Sequence, residues 1–255
     1  MKETNEAHLP AESLCTEEKT VYVRSLAARI TAIAAYVVAA AGAIYCTVLF
    51  IAGSTDASGF GYKLTGSLIS VLLFAAFYFF ERFTKLRIPA FLDIFLRTFI
   101  VCALVLGRTF DFYGFIPYWD KILHTVSGFL FFFAGMSIGT LFLGEKHGMS
   151  EKRYLVVLTV FAFMFALVAG YVWELFEFAG DSLFGMDNQR WAEGLISENP
   201  DGTFTVTDKR GTAILDTLGD MYVNFIGAAV CWITCIIAFI RRPEKLRRLV
   251  CFVKA

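Results

Sequence analysis

The sequence predicts an all-α membrane protein, a polytopic bundle of six transmembrane helices. Of its 255 residues, 57% are apolar and only 18% are charged, against a globular average of about 25%. The apolar residues form six long blocks, each close to or above the roughly 20 residues that a helix needs to cross the hydrocarbon core. None of the blocks alternates with period two. Backbone groups in lipid must be satisfied within their own segment, so the blocks are predicted to be helices.

The six blocks define a predicted transmembrane domain over residues 26–240. A disordered cytoplasmic tail over 1–25 precedes this domain, and a basic cytoplasmic tail over 241–255 follows it. An outer loop over 180–211 joins the last two spans, and its turn sequence at 199–206 predicts a short hairpin. The predicted spans cover residues 26–53, 62–80, 88–107, 122–143, 154–179 and 212–240.

The distribution of basic residues predicts which side of the membrane holds the two termini. An even number of spans puts both termini on one side, and Lys and Arg concentrate on the cytoplasmic side. Cytoplasmic termini place 15 basic residues in the inner segments and 6 in the outer ones. We therefore expect a multi-pass protein with both termini inside. Basic and acidic residues cancel at 23 each, which gives no support to a nucleic-acid partner.

Several intramembrane residues have structural explanations. Cys231 and Cys235 lie one turn apart, which suggests a helix contact more than a metal or redox pair. Asp93 and Arg97 predict an ion pair within the third span, with the arginine side chain reaching towards the membrane surface. The glycines predicted to allow close helix packing are Gly128, Gly135, Gly139 and Gly227.

Polar residues are concentrated at one end of the last three spans. In the fourth span, Asp120 and His124 are four residues apart and share one helix face. By the same spacing, carboxylates line one face at the end of the fifth span and at the start of the sixth. The predicted topology brings these faces to one depth, within about three turns of the outer surface. The remaining members of this set are Glu174, Glu177, Asp181, Asp216, Asp220 and the amide of Asn224.

Two explanations account for this set. Carboxylates so close together cannot all stay ionised without a cation or shared protons. Carboxylate oxygens with one imidazole suit Mg²⁺, Mn²⁺ or Zn²⁺, which makes a divalent ion the predicted cofactor. The candidate metal ligands are Asp120, His124, Glu177, Asp181, Asp216 and Asp220. Alternatively, basic residues on the same side neutralise the acids in a structural network, namely Lys121, Arg108, Lys209 and Arg210.

Three functions fit such a site. The first is a metal-dependent hydrolase or transferase that acts on an envelope lipid or its headgroup, with His124 or Glu177 as general base. Its candidate catalytic residues are His124, Glu174, Glu177 and Asp220, and its candidate substrate-binding residues are Lys121, Gln189 and Asn224. The second is a cation- or proton-coupled transporter or binding protein, because intramembrane carboxylates often mark ion pathways. The third is a non-enzymatic accessory protein.

The same residues carry a resemblance to known families. The run Trp173 to Glu177, followed by Asp181, Gly185 to Gln189 and the pair Asp216-Thr217 with Asp220, resembles the uncharacterised bacterial YjdF-like family. Asp120-Lys121 with His124 is also similar to the broader VanZ-like group. The resemblance covers about residues 88–240 and implies a multi-span protein of the bacterial plasma membrane. It also implies that one site includes Asp120, His124, Glu174, Glu177, Asp181, Gln189, Asp216, Asp220 and Asn224.

Overall fold

The computed structural model of the protein describes residues 26–143, 148–190, 196–206 and 209–254. Within them, six helices are long and apolar enough to cross a membrane. The predicted polytopic all-α fold is therefore confirmed. The predicted disordered tail lies outside the described residues, and the side of the membrane that holds the termini stays a prediction.

The helices and short strands follow one another along the chain. In order, they are α1 (Leu26–Ile51), α2 (Ala57–Thr84), β1 (Leu86–Arg87), α3 (Ala90–Ile100) continued by a π-helical segment (Val101–Thr109), α4 (Phe112–Phe115), α5 (Trp119–Leu143), α6 (Glu151–Phe184), β2 (Ile196–Glu198), β3 (Phe204–Val206), α7 (Lys209–Phe239), α8 (Pro243–Val250) and β4 (Val253–Lys254). The third span consists of α3 and the π-helical segment together.

Several helices extend beyond the predicted spans because polar caps set their ends. The Asp56 carboxylate accepts a hydrogen bond from the Gly59 N–H at 2.8 Å and begins α2. The Ser150 hydroxyl accepts one from the Arg153 N–H at 3.3 Å and begins α6. Gly185, with φ of 62°, ends α6 in the left-handed conformation typical of a helix C-terminus. An apolar block marks the part of a helix that lies in lipid, whereas its caps lie outside that part.

The π-helical segment is fixed to α2 through Thr109. The buried Thr109 hydroxyl donates to the Lys63 carbonyl at 2.8 Å and lies 3.2 Å from the Ser67 hydroxyl. No feature of the sequence predicted this change of helix type. Short π-helical stretches are often found at functional sites.

The spans form two groups of three that α3 connects. The first group, α1 to α3 with the π-helical segment, packs around residues such as Ala39, Phe74 and Val105. The second group, α5 to α7 with α8, packs around residues such as Phe132 and Ala162. A third cluster contains Ile88, Leu92 and Leu130, and through it α3 packs against α5.

The predicted ion pair in the third span is confirmed, but its arginine does not reach the membrane surface. Arg97 Nη2 lies 2.9 Å from Asp93 Oδ1, and both side chains are only 2% exposed. The guanidinium lies 5.6 Å from the ring centre of Phe74 and 5.5 Å from that of Phe77. These cation–π contacts hold the charge inside the first helix group, so the predicted snorkelling is wrong.

The predicted helix contacts at glycines are confirmed. A Cβ atom at Gly128 would overlap the Asn224 carbonyl oxygen, and one at Gly227 would overlap the backbone of α5. Backbone therefore lies directly against backbone where α5 crosses α7. Gly135 and Gly139 make similar room for α6 side chains. Cys231 and Cys235 are buried in the core of this helix group, as expected for a helix contact.

Short strands and an additional helix complete the two ends of the bundle. β2 and β3 pair antiparallel, which confirms the predicted hairpin. At the other end, the predicted basic tail includes α8, whose Leu246 and Val250 are fully buried. β4 pairs antiparallel with β1. Beside them, the buried Glu81 carboxylate accepts hydrogen bonds from the Arg87 side chain at 3.0 Å and the Ile88 N–H at 3.1 Å.

Candidate functional site

One buried imidazole lies among four carboxylates at the end of the bundle where α5 begins. His124 Nε2 lies 3.6 Å from Asp120 Oδ1, 3.9 Å from Asp220 Oδ1 and 4.0 Å from Glu177 Oε1. His124 Nδ1 lies 3.6 Å from Glu174 Oε1. None of the five side chains is more than 14% exposed. We call these five residues the His124 cluster.

Helix geometry explains why these residues meet. Asp120 and His124 lie on successive turns of α5, and Glu174 and Glu177 lie three residues apart on α6. Asp220 comes from α7. The glycine contact between α5 and α7 begins at Thr125, directly after His124, so the two helices are close together where the cluster forms.

The distances within the cluster are longer than hydrogen bonds but fit a shared ion. Two ligands that are each about 2.1 Å from one metal ion lie roughly 3.0–3.4 Å apart. Ligand atoms of Asp120, His124 and Asp220 all lie within 4.8 Å of one another, and so do those of His124, Glu174 and Glu177. A shift of a few tenths of an ångström would bring the shorter of these distances into the range of a metal centre.

Two members of the cluster have buried carboxylate oxygens with few donors around them. Oδ1 of Asp220 accepts no hydrogen bond within the described part of the chain. The oxygens of Glu174 have the Thr217 hydroxyl as a neighbouring donor. The Glu174 side chain is 4% exposed and that of Asp220 is fully buried. A buried carboxylate oxygen without a donor is costly. A proton, a cation or a bound water would compensate these atoms.

Lys121 neutralises part of the acidic set. Its Nζ donates to Asp216 Oδ1 at 2.6 Å and to Asp220 Oδ2 at 2.7 Å. The predicted ion-pair network therefore accounts for Asp216, which lies outside both groups of possible metal ligands. The other oxygen of Asp220, Oδ1, faces His124. Asp220 therefore contacts both Lys121 and His124.

The other basic residues considered from the sequence contribute less. The Arg108 guanidinium lies 4.5 Å from the ring centre of Tyr62. The side chains of Lys209 and Arg210 lie outside the described ones. Arg190, which the sequence did not single out, places Nε 4.0 Å from Asp120 Oδ2 and is 30% exposed.

Asp181 and Gln189 fasten the loop after α6. The Asp181 carboxylate accepts hydrogen bonds from the backbone N–H groups of Asn188, at 2.7 Å, and Gln189, at 2.9 Å. Gln189 Nε2 donates to the Thr217 hydroxyl of α7 at 2.8 Å. Asp181 thus serves as an acceptor for the loop backbone and is not among the two groups of possible metal ligands.

Asn224 supports the helix that carries the imidazole. Its Nδ2 donates to the Ser127 hydroxyl at 2.9 Å, and that hydroxyl donates to the His124 carbonyl at 2.7 Å. Gly170 of α6 has no side chain and leaves room for the Asn224 amide. Asn224, only 2% exposed, therefore joins α5, α6 and α7 just below the cluster.

A pocket of about 470 Å³, its open mouth included, lies beside the cluster and is lined in part by Asp120, His124 and Glu177. Two aromatic residues that the sequence-based site omits also line it. Trp173 Nε1 donates to Glu177 Oε1 at 2.8 Å, a pairing that their four-residue spacing could have signalled. Burial raises the pKa of the Tyr113 phenol, and the charges of Asp120 and Glu177 raise it further. Tyr113 is therefore a neutral hydrogen-bond donor.

Comparison with known proteins finds a family of predicted membrane proteins and an uncharacterised relative. The family model described as "Predicted membrane protein (DUF2238)" matches residues 35–241. An "Uncharacterized protein" of Thermotoga maritima is 28% identical over 109 residues, which cover 42% of this chain and 52% of that relative. The chain thus spans about half the length of this relative. No solved structure matches significantly. The YjdF-like resemblance is consistent with the family match, and the VanZ-like resemblance stays a prediction.

Proposed function

The chain belongs to the DUF2238 family of predicted membrane proteins, and we propose that it is a metal-dependent hydrolase or transferase acting on a lipid headgroup. One observation carries the proposal. Asp220 Oδ1, a fully buried carboxylate oxygen that accepts no hydrogen bond from the described residues, faces the imidazole of His124. A divalent cation compensates several carboxylates at once and also uses the imidazole nitrogen as a ligand.

The geometry favours a particular division of roles. Asp120 and Asp220 flank His124 Nε2, and these three residues would hold the ion. Glu177 Oε1 is slightly farther from His124 Nε2, at 4.0 Å. Glu174 lies on the Nδ1 side of the ring and would accept its N–H. A carboxylate behind a metal-binding histidine fixes the ring orientation and increases its basicity.

The charge balance supports a cation at this position. Five acids and two bases are joined through pairwise contacts of 4.0 Å or less, several of them to His124: Asp120, Glu174, Glu177, Asp216, Asp220, Lys121 and Arg190. His124 as a metal ligand is neutral. Mn²⁺, Mg²⁺ or Zn²⁺ would offset most of the remaining negative charge.

The proposed chemistry follows from the ion and its neighbours. A bound divalent ion polarises headgroup oxygens and lowers the pKa of a coordinated water. Glu177 lines the pocket and is oriented by the Trp173 N–H, which suits it to accept a proton from that water. The cluster lies within about three turns of the helix ends, which is close to the depth expected of lipid headgroups.

Metal binding is the first test. Detergent-solubilised protein stripped of metal should bind Mn²⁺, as measured by electron paramagnetic resonance of the free ion. Asp220→Asn should weaken this binding at least tenfold because it removes a charge from a proposed ligand. Asp111→Asn is the matched control, because Asp111 lies at the same end of the bundle with 59% of its side chain exposed. Failure to bind Mn²⁺, Mg²⁺ or Zn²⁺, or equal binding by both variants, would contradict the proposal.

Turnover is the second test. Protein reconstituted with a bacterial lipid extract and Mn²⁺ should convert a headgroup, as detected by mass spectrometry of the lipids. Glu177→Gln should lower the rate about 100-fold, in the range for loss of a general base. Metal-dependent cation or proton flux into sealed vesicles without any lipid product would instead support the transporter.

A further inference from the structure

We infer that the substrate is an amphiphile that carries a phosphate group on a single hydrocarbon chain, with the phosphate at the His124 cluster and the chain in the apolar part of the pocket. This inference rests on the proposed function, because it assigns a substrate class to the same site.

The pocket has two chemically different parts. Asp120, His124 and Glu177 contribute its charged wall. Phe99, Ala103, Leu123 and Phe131 contribute apolar side chains to the rest of its wall. A small polar ligand would fill only the first part and leave the second facing empty space. A ligand with a hydrocarbon segment next to its polar group matches both.

The position of the pocket also favours a ligand from the bilayer. Phe99 belongs to α3 and Ala103 to the π-helical segment, whereas Leu123 and Phe131 belong to α5. The pocket therefore lies where α3 connects the two helix groups. All four residues lie within candidate membrane spans, so this wall is expected at the level of the bilayer.

The size of the pocket limits the ligand to one chain. The enclosed space is about 60 Å³, and with its open mouth the empty space is about 470 Å³. Typical small-molecule pockets range from about 300 to 1,000 Å³, so the enclosed part is small. It leaves no room for the two chains of a phospholipid, and at most one chain could enter it from the mouth.

Phosphate is the polar group that suits the cluster best. Mg²⁺ and similar hard ions in proteins commonly bind one or two carboxylates together with substrate phosphate oxygens. Arg190, with Nε 4.0 Å from Asp120 Oδ2, adds a cation at the edge of the cluster. The neutral phenol of Tyr113 adds a donor to the pocket wall.

The experiment measures competition by water-soluble phosphates for the Mn²⁺-loaded protein in nanodiscs. The probes are inorganic phosphate, methyl phosphate, butyl phosphate and hexyl phosphate, and the readout is water-proton relaxation by bound Mn²⁺. Each methylene that moves from water into the apolar part should strengthen binding about fourfold. Hexyl phosphate should therefore bind at least tenfold more tightly than methyl phosphate.

Ala103→Phe should remove this chain dependence, because the larger ring fills the apolar part. Its affinity for Mn²⁺ and for methyl phosphate should stay unchanged. Ala34→Phe is the matched control, because Ala34 is exposed on α1, away from the pocket. If Ala103→Phe fails to fold, Phe131→Ala tests the same point by enlarging the apolar part, and should favour octyl over hexyl phosphate.

The outcomes separate the two proposals. Equal affinity for all four probes in Mn²⁺-loaded protein would overturn the amphiphile inference, because a free phosphate would then be the ligand. This result would not contradict the proposed metal site. If folded Ala103→Phe still bound longer alkyl phosphates more tightly, to the same extent as the unmodified protein, the amphiphile inference would also be overturned. Absence of Mn²⁺ binding in the unmodified chain would instead overturn the proposed function itself.

Discussion

Lys121 determines which carboxylate oxygens near His124 remain available to bind a metal ion. It pairs with Asp216 and with one oxygen of Asp220, and the other oxygen of Asp220 faces His124. The ion-pair explanation and the metal explanation therefore apply to different atoms of the same residue. A lysine at this position limits the negative charge of the site without occupying the Nε2 side of the imidazole.

Lys121→Met should lower the midpoint of thermal unfolding in metal-free buffer. Loss of one partner of a fully buried pair costs about 3–5 kcal/mol. Lys121 is 30% exposed, so we expect about 1–3 kcal/mol here, or several degrees for a chain of this size. Added Mn²⁺ should raise the midpoint of Lys121→Met more than that of the unmodified chain, because the ion replaces the lost positive charge.

Lys63→Met is the control for this measurement. Lys63 lies 3.7 Å from the exposed carboxylate of Asp111 at the same end of the bundle, where an ion pair contributes little. If Lys121→Met and Lys63→Met had the same midpoint with and without Mn²⁺, the acids near Lys121 would not depend on a cation.

At the scale of elements, hydropathy predicted the spans but not what happens at their ends. The caps at Asp56 and Ser150 depend on single polar side chains outside the apolar blocks. The π-helical segment depends on the contacts of Thr109 with α2. Both are tertiary or local polar effects, and a count of apolar residues contains no information about them.

The candidate site was predictable where helix periodicity determines it. The spacing of Asp120, His124, Glu174, Glu177 and Asp220, combined with the alternating direction of the spans, was enough to bring them together. The roles of other predicted ligands depend on the path of a loop, for Asp181, and on the reach of one lysine side chain, for Asp216. Neither can be read from spacing.

Gly227→Ala should disturb the crossing of α5 and α7. The added methyl group would overlap the backbone oxygen of Thr125, and such overpacking typically costs about 1–3 kcal/mol. Because α7 carries Asp220, we expect weaker Mn²⁺ binding together with a lower unfolding midpoint. Gly61→Ala is the control, since a Cβ atom there meets nothing within 4 Å. Equal Mn²⁺ affinity in the two variants would show that this crossing does not set the site.

At the scale of the whole molecule, the two helix groups differ in what they contain. The first holds the internally paired Asp93 and Arg97, and the second holds the His124 cluster. α3 and the π-helical segment connect them and form one wall of the pocket. The site therefore depends on both groups, although its proposed metal ligands come from the second group alone.

The predicted orientation places the His124 cluster on the outer side of the membrane. Asp201→Cys, in the exposed turn of the β2–β3 hairpin, should react in intact cells with a maleimide that cannot cross the membrane. Lys152→Cys, exposed at the start of α6 at the other end of the bundle, should react only after the membrane is permeabilised. The unmodified chain reports the background from its natural cysteines. The reverse pattern would place the site in the cytoplasm.

The meeting of α5 and α7 at Gly128 and Gly227 has a consequence for how this protein can vary in evolution. Where peptide groups touch without side chains between them, their van der Waals radii set the smallest separation that the two helices can have. Residues that face the acyl chains are then free to drift without altering the dimensions of the ionisable centre. Relatives that share little overall identity can therefore retain the same spacing of α5 and α7, provided that both positions remain glycine.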